Sequence, residues 1–477
     1  MPARAPPHAQ QRSPLGPAGH RRVGGRGPGQ GPLRRPLQLG SGAQADPRRG
    51  VRALRDEGGV HGGLRSLRRT LLHRRVEARD ESGGEPVSAE LDVRTGRARG
   101  LQADSTYRDP RRNVEINIGK TCNNKCVFCL DGMPTREDKA FMPFEDMKTE
   151  LERWRAEGHL SVGFLGGEPT TYPHIIPSVA YAKELGYTRI ALATNAMMLR
   201  REPFLDKLVE AGLNRVTVSM HGHTAPLEDR LTMVPGGFEK KLTALRNLTA
   251  RRDRGLMTEG VSVNVVLNGW NYRALPKMMK FFLETVGLHD MRVNFVRPEG
   301  YAEGNPDLVP TFTDVVPYLV KAILLNEYHF RRVFTFGGLP LCVLPQELLR
   351  SETLLRKYAG DLYRDLSTDC SIRTESTIPD GFEDGVSEIE GGRARFNWQD
   401  RKRFDLKKHP EACRSCSFTD LCEGVWRGYR DLYGEGEIAP LRWERGAAKR
   451  LLPRVDRAPA AKVAPRAKFG RRLVVIQ

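Results

Sequence analysis

Lys120-Thr121-Cys122-Asn123-Asn124-Lys125-Cys126-Val127-Phe128-Cys129, residues 120–129, sets three cysteines at the spacing C-x3-C-x2-C. The stretch follows a short apolar strand candidate carrying Val114, Ile116 and Ile118. A loop that folds back at this spacing brings three thiolates to three corners of one iron–sulfur cube, a group that usually takes four. With only three thiols close together, one iron stays open for a ligand that is not protein. Zinc fits a cluster of thiols as well.

Cys122, Cys126 and Cys129, with Phe128 as the aromatic, resemble the C-x3-C-x-aromatic-C loop of the radical S-adenosylmethionine (radical SAM) enzymes. The resemblance implies a 4Fe-4S cluster whose open iron takes the amino and carboxylate groups of S-adenosylmethionine. It further implies one-electron cleavage of the sulfonium, fed by a donor such as flavodoxin or ferredoxin. The 5′-deoxyadenosyl radical so formed removes a hydrogen atom from the substrate.

Outward from the loop, strand-like and helix-like segments alternate. Strands are expected near 114–118, 161–165, 189–193, 215–219, 261–267 and 291–296. Helices are expected near 144–157, 174–185, 203–211, 237–252, 271–286 and 313–328. In the fourth of these the helical period turns Leu242, Leu245 and Leu248 inward and Lys240, Lys241, Arg246 and Arg251 to water. Repeated β-α units imply a parallel α/β sheet with helical crossovers. Periodicity does not separate an open sheet from a barrel. The family resemblance implies a partial (βα)6 barrel of the TIM type, with its site at the carboxyl ends of the strands.

The second strand runs into Gly166-Gly167-Glu168-Pro169-Thr170. Paired glycines permit a positive φ or a close backbone approach. By resemblance this is the family's GGEP motif, and Gly166, Gly167, Glu168 and Pro169 would hold the methionyl amino group. By the same resemblance Thr194 and Ser219, at the ends of the third and fourth strands, and Asn264, on the fifth, are candidates for contacts to S-adenosylmethionine. A small hydroxyl there can equally cap the next helix, and Asn264 can be a satisfied core amide. His221 and His223 read as loop histidines lining the mouth. No residue is assigned as catalytic.

After the barrel come Gly337, Cys342 and Cys370, then Cys413, Cys416 and Cys422 at C-x2-C-x5-C. These resemble part of the SPASM extension of peptide-modifying radical SAM enzymes. Trp426 stands where that pattern would place its next cysteine, so one auxiliary 4Fe-4S cluster of the shorter twitch type is expected rather than two. Cys342 is the preferred fourth ligand and Cys370, in a polar stretch read as a loop, the alternative. Four-cysteine zinc is the competing site.

The charge lies unevenly along the chain. Residues 1–112 carry 23 Arg, no Lys and 11 acidic residues, a net +12 of the total +19. They contain no Phe, Trp, Ile or Cys, too little apolar surface to offset the entropy of ordering. This disordered Arg/Gly/Pro-rich arm fits either a phosphate-binding segment or upstream sequence read from a wrongly chosen start. Residues 113–336 are expected to form the barrel, 337–440 the auxiliary region and 441–477 a basic flexible tail. Clustered rather than scattered cysteines call for a reducing compartment, which places the protein in the cytoplasm. No apolar run is long enough to span a bilayer.

The substrate expected from the resemblance is a peptide or a small cofactor precursor. The alternatives are an RNA-modifying radical SAM enzyme and a non-catalytic zinc or iron–sulfur RNA-binding protein.

Overall fold

The computed structural model describes residues 111–130, 141–359, 368–373 and 387–442. The arm expected over 1–112, except Arg111 and Arg112, and the tail from 443 lie outside these residues.

Seven parallel strands follow one another in chain order: β1 (Asn113–Asn117), β2 (Ser161–Leu165), β3 (Arg189–Thr194), β4 (Arg215–Ser219), β5 (Gly260–Leu267), β6 (Asp290–Phe295) and β7 (Val333–Gly337). Helices return the chain between them: α1 (Phe144–Ala156), α2 (Ile175–Glu184), α3 (Glu202–Ala211), α4 (Ala225–Thr232) and α5 (Gly237–Asp253). They are followed by α6 (Leu275–Met279), prolonged by a π turn over Lys280–Thr285, and α7 (Phe312–Leu325). The parallel α/β fold is as expected, and within its run of parallel strands β1–β7 the strand β7 and the helix α4 lie beyond the sequence reading. Both are short and sit beside turns, so neither leaves a long periodic signature.

One face of the sheet is apolar and covered by helices. Phe164, Leu192, Val216, Val218 and Val263 are fully buried there, in the same hydrophobic core as Met147 and Leu151 of α1. Strand residues of the opposite parity turn inward and are small or polar: Glu115, Gly163, Ala191, Thr217, Asn264 and Arg292. A TIM barrel normally fills its interior with bulky branched side chains. Small residues here leave a cavity of about 400 Å³ inside the curve of the sheet.

The sheet continues past β1. Strand β8 (Thr368–Arg373) pairs with it in parallel, Asn113 opposite Thr368 and Glu115 opposite Cys370. The antiparallel strands β9 (Ser387–Glu390) and β10 (Arg393–Asn397) complete the order β7-β6-β5-β4-β3-β2-β1-β8-β10-β9. Buried polar contacts fasten this extension. Glu150 of α1 is paired with Arg395 and accepts from Ser371. His159 lies 2.7 Å from Asp369, which also accepts from Asn397. The Arg393 guanidinium donates to the Ser371 and Asn117 carbonyls.

Three expectations are corrected. Cys370 is in strand β8, not a loop, and packs against Ile372, Ala394 and Phe396. Lys241 and Arg251 do not face water: they are buried, and each sits on a carboxylate. Arg111 and Arg112 already belong to the fold, through Glu259 and Asp369 respectively.

Candidate metal and cofactor centre

The cysteine loop leaves the carboxyl end of β1 and is clamped by the exits of its neighbours. The Asn117 side chain accepts from Gly119 N at 2.9 Å and fills the space beside Gly166. A Cβ on Gly166 would lie 2.2 Å from Asn117 Oδ1, and one on Gly167 2.2 Å from the Thr121 carbonyl oxygen. Both glycines have positive φ, +94° and +49°. That carbonyl accepts from Glu168 N at 2.8 Å. Paired glycines are required because the β2 exit runs in van der Waals contact with the cysteine loop.

On the far side, Lys125 N and Val127 N donate to the Thr232 and Leu231 carbonyls at the end of α4, each at 3.0 Å. Tyr301 N donates to the Cys129 carbonyl at 3.1 Å. Asn195 Nδ2 reaches Asn123 Oδ1 at 2.6 Å. Phe128 is buried and meets His221 edge-on with ring centroids 4.8 Å apart.

Cys122, Cys126 and Cys129 are half-buried and form no disulfide. Burial pushes the Cys126 thiol up to about 12 and that of Cys122 up to about 11, and the Lys241 charge pulls both the other way. The thiolate is the ligand form, so a metal must supply what burial withholds. Beside them Asn124 Oδ1 is buried with no hydrogen-bond partner. Among the described residues no three His, Cys, Asp or Glu side chains converge on a single-ion site. Three thiols on one loop, an unpartnered amide oxygen and a glycine cradle fit an iron–sulfur group with a small ligand against the β2 exit.

Glu168 is fully enclosed. Its carboxylate accepts from Thr170 N at 3.0 Å, from Asn195 N at 2.6 Å and from the Thr170 and Thr194 hydroxyls. Burial raises its pKa, and those bonds work against the rise. The Thr194 hydroxyl is thus turned to Glu168 and also accepts from Ala196 N. Glu168, Thr170, Thr194 and Asn195 form one knot tying β2 to β3. Pro169 opens the short 3-10 turn that follows. Ser219 is half-buried at the end of β4. Asn264 lines the cavity and accepts from Asn294 Nδ2 at 2.7 Å.

His221 does not line the mouth. It is buried, with its pKa down at about 4 because of desolvation, and its Nδ1 accepts from Val266 N at 3.0 Å. The ring is therefore neutral, with its proton on Nε2. His223 is half-buried, and burial lowers its pKa too.

The second cysteine set follows β7. Gly338 (φ +88°) leads into a turn carrying Cys342, and Cys413, Cys416 and Cys422 come from the loop beyond β10. All four line one apolar cavity of about 20 Å³. Cys370 is not among them. Lys407, fully buried, and Lys402 both hold Glu423, at 2.7 and 2.6 Å, directly beside Cys422. Trp426, at the position where a further cysteine was absent, donates from Nε1 to the Gly338 carbonyl at 3.0 Å. Its ring and that of Trp398 flank the Arg297 guanidinium, each 5.2 Å away.

Sequence reasoning missed Lys241, Glu228 and the knot role of Asn195. A signal existed for the first: 241, 245, 248 and 252 follow i, i+4, i+7 and i+11, the spacing of one helix face.

Residues 116–282 match the model of the Radical SAM superfamily. The chain carries a radical SAM domain. It is 31% identical over 204 residues to the PqqA peptide cyclase of Rhodopseudomonas palustris, covering 42% of this chain and 52% of that enzyme. The chain thus spans about half the length of this curated relative. It is 25% identical over 258 residues to a probable GTP 3′,8-cyclase of Saccharolobus solfataricus, covering 53% of this chain and 77% of that one. Among solved structures, Streptococcus suis SuiB bound to S-adenosylmethionine aligns over 70% of this chain and 77% of its own, at 17% identity and a TM-score of 0.48. The cysteine loop, the Gly166–Thr170 turn and the ends of β3 to β5 all lie inside the radical SAM domain. No helix among the described residues is long and apolar enough to cross a membrane.

Proposed function

We propose that this protein is a radical SAM enzyme that modifies a peptide. Cys122, Cys126 and Cys129 hold a 4Fe-4S cluster, and the backbone at Gly166 and Gly167 receives the methionyl end of S-adenosylmethionine. The observation that carries this is the clamp between the two motifs: the β2 exit and the cysteine loop share the Thr121 carbonyl, with no room for a Cβ between them. When bound, the cluster and S-adenosylmethionine together supply reductive C–S cleavage and a radical able to remove a hydrogen atom.

The residues of the chain do the rest. The Glu168 knot fixes the β2 and β3 exits relative to the loop. Phe128 and His221 wall the loop against β4. The small inward residues of β2 and β3 keep the lumen open for a substrate side chain. The 31% identity to a peptide cyclase supports a peptide rather than a small cofactor precursor. A low-potential donor of the flavodoxin or ferredoxin type and a cytoplasmic setting belong to the same proposal, since thiols on such a loop need a reducing compartment.

Cys342, Cys413, Cys416 and Cys422 are proposed as ligands of one auxiliary 4Fe-4S cluster, supported by their shared cavity. On this reading the radical SAM core covers 113–336 and the auxiliary region 337–440.

The test is anaerobic reconstitution, reduction with dithionite and measurement of 5′-deoxyadenosine from S-adenosylmethionine. The intact protein is expected to form it and the Cys126→Ala variant to form none, since the cube would lose one of three protein ligands. Undiminished product from Cys126→Ala would overturn the proposal.

A further inference from the structure

Lys241 of α5 and Glu228 of α4 form an ion pair behind the cysteine loop, with both side chains fully buried and Nζ 2.6 Å from Oε1. Lys241 Nζ also donates to the Ser219 carbonyl at 2.9 Å. The second carboxylate oxygen of Glu228 accepts from His221 N at 2.6 Å and Gly222 N at 2.7 Å. The pair therefore holds the β4 exit from within. It also fixes α4, whose last carbonyls, at Leu231 and Thr232, receive the backbone N–H groups of Val127 and Lys125.

A buried ion pair is costly to desolvate, and apolar residues of similar size often serve stability as well or better. This one lies against the two elements that hold the cysteine loop, where its charges act on any group bound there. Both ends of the pair reach the cysteine loop through its neighbours: α4 holds Lys125 N and Val127 N, and His221, whose N–H donates to Glu228, meets the Phe128 ring edge-on.

We infer that Lys241 and Glu228 are positioning residues that set the reduction equilibrium of the cluster on Cys122, Cys126 and Cys129, the lysine favouring the reduced form and the glutamate opposing it. The inference rests on the proposed function, which puts the cluster there. In the step concerned, one electron from titanium(III) citrate enters the oxidised cluster and titanium(III) becomes titanium(IV). No bond forms or breaks, and the cluster gains one negative charge. A buried cation behind the loop favours that gain, and a buried anion left without its cation resists it.

The experiment is an anaerobic redox titration of the full-length holoprotein with titanium(III) citrate, followed by electron-spin resonance. Iron content and thermal melting are measured alongside. The signal of this cluster is identified by its change on adding S-adenosylmethionine. Lys241→Met is expected to move the equilibrium on the order of tenfold toward the oxidised cluster, 59 mV for one electron. Glu228→Gln is expected to move it the opposite way, and the double variant to return within about threefold of the parent protein.

A purely structural pair would move both single variants in one direction or leave both potentials unchanged, and either result overturns the inference. If Lys241→Met does not load iron, Glu228→Gln and the double variant decide alone, and an unshifted Glu228→Gln overturns it. A parent protein with no S-adenosylmethionine-responsive signal overturns the functional proposal and this inference with it. A parent signal with unshifted variants overturns the inference alone.

Discussion

Replacing Gly167 by Ala tests whether the β2 exit holds the cysteine loop in place. The residue has φ +49°, and a left-handed conformation costs an L-residue about 1–2 kcal/mol. The new Cβ would also lie 2.2 Å from the Thr121 carbonyl oxygen, 1.2 Å inside the 3.4 Å of ordinary contact. That oxygen belongs to rigid backbone and accepts from Glu168 N at 2.8 Å, so relief means moving the loop away and losing the bond, about 0.5–1.5 kcal/mol more. The sum is about 1.5–3.5 kcal/mol.

Gly158 supplies the control, since it has φ +92° but nothing within 4 Å of its would-be Cβ. Gly158→Ala should incur the conformational term alone, about 1–2 kcal/mol. Urea unfolding of the apo proteins measures the difference. Iron bound after reconstitution, in a background with Cys413, Cys416 and Cys422 changed to Ala, measures the consequence for the loop. The Gly167 variant should bind markedly less iron than the Gly158 variant. Equal stability and equal loading in the two would refute the claim that the β2 exit shapes the loop.

Other perturbations have equally definite outcomes. Glu168→Gln sets a donor against Asn195 N or the hydroxyls of the knot, so a stability loss of about 1–3 kcal/mol and weaker S-adenosylmethionine binding are expected by denaturation and calorimetry. In a variant with Cys122, Cys126 and Cys129 changed to Ala, about four irons should remain. Adding Cys342→Ala should make them labile in the electron-spin spectrum, whereas adding Cys370→Ala should not.

Low pH should loosen the β8–β10 extension. Burial alone would raise the pKa of Glu150 and Asp369, but hydrogen bonds from Arg395 and Ser371, and from His159 and Asn397, hold both below their ordinary values. Folded values below unfolded ones mean stability that is present above about pH 4 and lost as pH falls through the folded values. Urea midpoints between pH 5 and 3 should therefore fall less steeply for Asp369→Asn than for the parent protein.

The parts of this fold that the sequence disclosed are those with local signatures. β5 reads Gly-Val-Ser-Val-Asn-Val-Val-Leu over 260–267, a run that could hardly be anything but a buried parallel strand. The cysteine spacing and Gly166-Gly167 likewise carry their chemistry within a few residues. Cys370 did not, because Ser367, Thr368, Asp369 and Ser371 make β8 look polar. Its polar residues find partners far away in sequence, on Arg112, His159 and Glu150. Lys241 misled for a related reason: charge argues for solvent unless a counter-ion is waiting, and Glu228 lies on a different helix. The fourth auxiliary thiol was open between Cys342 and Cys370 because loop closure over some 70 residues leaves no mark in spacing. Folding brings only Cys342 to the others.

The place of β1 in the middle of the sheet has a consequence for synthesis on the ribosome. The strand that leads into the cysteine loop cannot be covered on its outer side until β8 is made, and Asn113 and Thr368 are 255 residues apart. At roughly 5–20 residues per second, β1 presents a bare, apolar hydrogen-bonding edge for about 10–50 s. During that interval the nascent chain is open to strand addition from neighbours on the same messenger. Any chain terminated ahead of residue 368 would keep that edge for good and should be recovered in aggregates even with its whole cysteine loop intact.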